Sequence, residues 1–182
     1  MPTMIASQKT SSHRKALSQR LLLVVDGTSA SERAVHYVAD VLGGRRGFRV
    51  ILAALLPVLP AHLLEFGGAE NPVTEAKLEN ELRQEQHRFI RLAKQQARTT
   101  LVRMRAELRK AGVVSNSVMI RFSDPLRQHG AAEELLEMAR QHKCCTIVLG
   151  HRTHSRFREL LQRDLAEQVV GRGAGFSFWI VE

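Results

Sequence analysis

The chain has 182 residues, of which 44% are hydrophobic and 25% charged, with a formal net charge of +9. Its length fits one domain of ordinary globular composition, and no apolar run approaches the roughly 18–20 residues needed to cross a bilayer. With aromatic residues at 5% and no zinc-finger spacing, the positive charge reads as solubility and argues against a nucleic-acid partner.

Residues 1–19 form a basic tail with Lys9, Arg14 and Lys15, several Ser and Thr, and no acid. The tail lacks a continuous apolar stretch of the secretory kind, so a solvated, flexible segment is expected. Residues 20–182 then make a single domain. Arg20 to Asp26 is an apolar run ending in an acid, the pattern of a strand buried on both faces. Gly27 to Ser31 turns the chain, with Ser29 or Ser31 placed to cap a helix through Ala34, Val35, Val38 and Leu42, and Gly43-Gly44 stops it.

Phe48 to Leu56 predicts a second buried strand, ended by Pro57 and Pro60. After a loop containing Gly67, Gly68, Asn71 and Pro72, a long helix capped by Thr74 is expected to reach about Lys110. Leu82, Phe89, Ile90, Ala93, Ala97, Leu101, Met104 and Leu108 mark its apolar stripe, and Gly112 closes it. Ser117 to Phe122 reads as a third strand, Ala131 to His142 as a helix, and Cys144 to Leu149 as a fourth strand. A last helix is expected over Phe157 to Val170 and a final strand over Phe176 to Val181.

Strands alternating with helices imply crossover connections. The expected fold is a doubly wound α/β domain: a five-stranded, mainly parallel sheet with helices on both faces. Cys144 and Cys145 are adjacent, so their side chains leave a strand on opposite faces. They suggest neither a disulfide framework nor a redox pair, and a reducing cytoplasm fits best.

Ligands of such sheets bind beyond the carboxyl ends of the strands. Three segments converge there: Asp26-Gly27 after the first strand, Ser123-Asp124-Pro125 after the third, and Gly150 to Ser155 after the fourth. Asp26 has two readings, a ribose or metal-water acceptor, or the cap of its own turn. Gly150 followed by a polar loop and a helix outlines an anion site at a helix start.

The stretch Val24-Val25-Asp26-Gly27-Thr28-Ser29-Ala30-Ser31-Glu32-Arg33-Ala34 resembles the opening of universal stress proteins. Ala132 to Ala139, through Ile147-Val148-Leu149-Gly150, is similar to their penultimate unit, and Leu160-Leu161, Glu167 and Val169 match the helix that follows. The resemblance spans about Arg20 to Val181. It implies an adenine nucleotide α-hydrolase-like fold, a role in stress physiology and a homodimer paired through the last strand. It also implies ATP or another adenine nucleotide as ligand in the branch carrying Gly-x2-Gly-x9-Gly-Ser/Thr after strand four.

In this chain the first of those glycines is Gly150, but the second falls on Thr153 and the third on Arg163, with Asp164 at the hydroxyl position. Side chains at Thr153 and Arg163 keep phosphates from the backbone N–H groups that glycine exposes. Asp164 repels a triphosphate. The positive charge of His151, Arg152, His154, Arg156 and Arg158 around this loop, which also holds Thr153 and Ser155, offers an alternative side-chain cradle for a smaller anion. An exposed basic helix start balanced by Glu159 and Asp164 is the simpler reading. The expected site set is therefore Asp26, Gly27, Ser123, Gly150, Arg152, Thr153, Ser155, Arg163 and Asp164, with no catalytic residue, no metal and no confident cofactor.

His151-x2-His154 has metal-like spacing without a third ligand nearby, and ordinary loop histidines are the simpler reading. Leu126 to Gly130 reads as an insertion relative to the family. In the final strand Phe176, Phe178 and Ile180 face one side, and Ser177, Trp179 and Val181 the other. An apolar strand at a sheet edge invites pairing with a second copy. The expectation is thus a cytoplasmic, homodimeric stress-response module with a degenerate nucleotide site and an unidentified regulatory protein partner. The alternatives are an ATP-binding, slowly hydrolysing protein, or a basic adaptor for an acidic protein or nucleic acid.

Overall fold

The computed structural model describes residues 19–65, 71–126, 129–151 and 165–182. Five strands form one sheet: β1 (Gln19–Val24), β2 (Phe48–Ala54), β3 (Val118–Phe122), β4 (Thr146–Gly150) and β5 (Ser177–Val181). Their order is β3-β2-β1-β4-β5, and every neighbouring pair is parallel. The mainly parallel sheet of the expected fold is thus parallel throughout.

Helices α1 (Ser29–Leu42) and α2 (Pro72–Lys110) cover one face, and α3 (Ala131–Gln141) and α4 (Leu165–Arg172) the other. The alternation along β1 divides its side chains between two cores. Leu21, Leu23 and Val25 pack with α1 and α2, while Leu22 and Val24 pack with α3 and α4. A strand covered on both sides has no solvent-facing position, which is why Leu21 to Val25 is apolar without interruption.

Local capping differs from the sequence expectation at two helix starts. Thr28, not Ser29 or Ser31, is the N-cap of α1, and its hydroxyl accepts the Ser31 N–H at 3.3 Å. Ser31 is buried in the first turn and donates its hydroxyl to the Thr28 carbonyl at 2.9 Å. Asn71 rather than Thr74 caps α2, accepting from Val73 N–H at 2.9 Å, with Pro72 at the first helical position. In both cases the cap sits where the backbone is still extended, a register that composition alone does not fix.

α2 ends as expected near Gly112: the Val113 N–H bonds the Leu108 carbonyl and the Gly112 N–H the Arg109 carbonyl. Leu108 and Val113, brought together by that cap, are both buried. The other end of α2 is different. No residue from Pro72 to Leu92 is buried, and within that stretch only Leu82, Gln86, Phe89 and Ile90 are half-buried. Gln86 ties this half to the body by donating to the Leu63 carbonyl at 2.6 Å.

α4 continues through Gly171 to Arg172, two residues beyond the expected end. The expected start of that helix, residues 157–164, lies outside the described residues. β5 has β4 on one side and, among the described residues, no strand on the other. Its alternation is as read: Phe176 and Phe178 join the α3/α4 core, and Trp179 and Val181 the α1/α2 core. Trp179 packs edge-to-face on Tyr37 of α1, with ring centroids 5.9 Å apart. No described helix is long and apolar enough to cross a membrane.

Candidate functional site

In this strand order the connections leaving β1 and β4 diverge, so the carboxyl ends of these two neighbours open a crevice at the topological switch point. The structure brings Asp26, Gly27 and Gly150 to that crevice, together with the start of α1. Gly27 adopts φ +79°, a left-handed conformation that lets the chain turn sharply from β1 into α1. A methyl group on it would still have room, 3.8 Å from Thr100 Oγ1 of α2. The constraint at Gly27 is therefore backbone geometry, not space.

Gly150 is the reverse case. A Cβ there would overlap the Ala30 carbonyl and lie 2.7 Å from Ser31 N. The first turn of α1 thus rests directly on the end of β4, and only a residue without a side chain allows it. Immediately after, His151 N–H extends the ladder to the Val181 carbonyl at 2.7 Å. Its own carbonyl accepts from the Arg33 guanidinium of α1 at 3.3 Å.

Asp26 is exposed, and its Oδ1 accepts from the Thr28 N–H at 2.9 Å and from the Thr28 hydroxyl at 2.7 Å. Thr28 in turn caps α1, so a relay of Ser31 N–H, Thr28 Oγ1 and Asp26 Oδ1 fixes the turn. This is the turn-capping reading of Asp26 realised. It also places a carboxylate at a helix start whose amides favour negative charge.

Ser123 lies elsewhere. It is buried at the end of β3, two strands from β1, where its N–H bonds the Ala54 carbonyl at 3.0 Å. Its hydroxyl accepts the Leu56 N–H at 2.8 Å, stitching the exits of β2 and β3 together. Arg152, Thr153, Ser155, Arg163 and Asp164, the loop part of the expected site, lie outside the described residues, as do residues 127–128 of the expected insertion.

Three residues of the crevice surroundings were not singled out from the sequence. Thr100 and Arg103 come from α2, and Arg103 is ion-paired with Glu32 in the first turn of α1. Arg33 holds the chain leaving β4. Arg103 and Glu32 are 71 positions apart, so no local pattern joins them. Among the described residues no group of histidines, cysteines or acids is arranged to hold a metal.

The comparisons with known proteins agree with this architecture. The profile of the Universal stress protein family matches residues 18–174. No curated protein sequence matches the chain. Among solved structures, a protein from the universal stress protein family from Burkholderia pseudomallei is 18% identical. The match covers 91% of this chain and 96% of that one, with a TM-score of 0.55. A universal stress protein in complex with cAMP is 16% identical over 90% of this chain and 96% of its own, with a TM-score of 0.58. The universal stress protein from Archaeoglobus fulgidus in complex with dAMP is 16% identical over 91% of this chain and 99% of its own, with a TM-score of 0.53. With an all-parallel sheet in the order β3-β2-β1-β4-β5 and a family match over most of its length, the chain belongs to the universal stress protein family and has its adenine nucleotide α-hydrolase-like fold.

Proposed function

We propose that this universal stress protein is a regulatory or protective module of the stress response, working as a cytoplasmic homodimer and not as a robust catalyst. The observation that carries this reading is the composition of the β1–β4 crevice. Its strand ends and helix start suit an anion, but Asp26 turns one carboxylate oxygen onto Thr28. The following loop has Thr153 and Arg163 where a triphosphate cradle needs glycine, and Asp164 where it needs a hydroxyl. A homodimer is supported by β5, an apolar strand at the sheet edge.

A second reading is favoured by two structural relatives, solved in complex with cAMP and with dAMP. Each ligand has a single phosphate, which makes far smaller demands on the loop than ATP. Amides at the start of α1, which rests on Gly150, with Arg152 two positions after that glycine in sequence, suffice for one phosphate group. In that case the crevice senses an adenine mononucleotide.

Mass spectrometry of small molecules released from freshly purified protein, with calorimetry against ATP, AMP and cAMP, separates the readings. No bound nucleotide and no heat supports the nucleotide-free module. Binding of AMP or cAMP that Asp26→Ala abolishes supports the mononucleotide sensor. Co-purified ATP, or micromolar ATP affinity, overturns both and assigns the arginine-bearing loop the work of the missing glycines.

A further inference from the structure

The second half of α2 carries a one-sided charge that nothing in the crevice uses. Between His87 and Lys110 the helix has eight Lys and Arg and a single acid, Glu107. Glu107 is engaged by Lys110 at 2.8 Å, and that neighbouring ammonium holds its carboxyl below the usual range. Five of the cations, Arg91, Lys94, Arg98, Arg105 and Arg109, follow one another at steps of three, four, seven and four residues. Such steps put them on one face of a helix.

That face is not the one against the sheet, which is marked by Ala93, Leu101, Met104 and Leu108. Nor is it the flank toward α1, where Arg103 meets Glu32. Arg91, Lys94, Arg98 and Arg109 are exposed and Arg105 is half-buried. Among the described residues none of the five has an ion pair or a hydrogen bond. Elsewhere on the helices cations sit beside acids, as in Lys77 with Glu81, Arg83 with Glu79, and Arg140 with Glu133 and Glu137. Like charges three and four residues apart on a helix repel, so the row is destabilising until an anion covers it.

We propose that this row is a docking surface for the phosphate backbone of double-stranded nucleic acid, bound without regard to sequence. The row runs about 27 Å at 1.5 Å per residue, which matches roughly eight base-pair steps of duplex at 3.4 Å each. Arginine supplies four of the five cations, and its planar fork matches phosphate oxygens two at a time. The row contains no aromatic residue, so it has nothing to stack on bases. Val102 is the one large apolar side chain between Lys94 and Arg105 on that side, too little for insertion into a bilayer. The surface extends the family fold with a partner class that the crevice does not serve, and it stands whether or not a nucleotide binds there.

The test is fluorescence anisotropy of the full chain with a labelled DNA duplex of about 30 base pairs at several salt concentrations. Two variants lower the charge equally: one carries Arg91→Gln, Lys94→Gln, Arg98→Gln and Arg109→Gln, the other Arg49→Gln, Lys77→Gln, Lys143→Gln and Arg172→Gln. Thermal unfolding checks that both fold. The unmodified chain should bind with a slope of log K against log salt of about −3 to −4, from about 0.9 per phosphate contact. The first variant should lose at least about tenfold in affinity and most of that slope, while the second keeps both. Equal losses in the two variants would assign the effect to net charge or the N-terminal tail and overturn the proposal. So would an absence of duplex binding at low salt, or binding to phosphatidylserine vesicles without binding to duplex.

Discussion

Gly150 and Ala30 are in backbone contact: the last residue of β4 lies against the first-turn carbonyl of α1, with no room for a methyl group between them. This contact sets the height of α1 over the sheet and so the position of the amides that face the crevice. Gly150→Ala is expected to shift α1 and to destabilise the fold by about 1–3 kcal/mol, the usual cost of inserting a methyl group into packed structure. Urea unfolding measures it. An unchanged midpoint would mean that α1 is not fixed by this contact.

The β5 edge should behave as an interface. Ile180 is 40% exposed there, on a strand whose outer side is unpaired among the described residues. Ile180→Lys puts a charge on that edge, which discourages pairing with a second strand. Light scattering should find the unmodified chain dimeric and the variant monomeric at the same concentration. A dimer that persists in the variant would move the interface elsewhere.

The two adjacent thiols should differ sharply in reactivity. Cys144 is buried, and burial, with a smaller contribution from Cys145, pushes its pKa up to about 11 against an opposing effect of Arg20. Cys145 is exposed, with its Sγ 3.4 Å from the Arg20 carbonyl. Since the thiolate is the nucleophile, one thiol should be alkylated quickly in the native protein at about pH 8 and two after unfolding. Peptide mass mapping should place the fast label on Cys145. Equal labelling rates would show that β4 opens on the timescale of the reaction.

His142 links stability to pH. Burial, then the positive charges of Arg121 and Arg20, lowers its pKa below the ordinary 6.5. The unfolded chain therefore binds more protons once the pH falls below about 6.5. The contribution to stability is complete above that value and is lost as the pH falls through the depressed folded-state pKa. Denaturant midpoints should drop as the pH falls below about 6.5 in the unmodified chain, and drop less in His142→Gln. An identical slope in the variant would assign the effect to other groups.

The sequence made the α/β class legible because each signal for it is local. Leu21 to Val25 and Ile147 to Leu149 are continuous apolar runs, and the α1 and α3 stripes repeat at helical spacing. The resemblance from Val24 to Ala34 and from Ala132 to Gly150 made the family legible for the same reason. Asp26, Gly27 and Gly150 were placed at the crevice because residues that end neighbouring parallel strands must emerge on one edge. Ser123 carried the same end-of-strand signal, but which strand lies beside which is a long-range matter, and β3 packs outside β2.

Capping was misread at Ser29, Ser31 and Thr74 because several hydroxyls and amides stand near each helix start. The one that caps is chosen by where the chain leaves its extended conformation. Cations and acids mix over the first half of α2, from Glu75 to Glu85, so the helix as a whole looks like a mixed, solubilising surface. Helical geometry and the docking of Leu101, Met104 and Leu108 on the sheet separate them, leaving Arg91 to Arg109 outward with Glu107 on another side. The sequence by itself determined the number and type of elements, since periodicity and buried runs are properties of neighbouring residues. Only the tertiary structure decided that Ser123 lies away from the crevice, that Arg103 meets Glu32, that Gly150 lies against Ala30 and which face of α2 is turned from the sheet. Those relationships join residues tens of positions apart, and only packing in three dimensions selects among them.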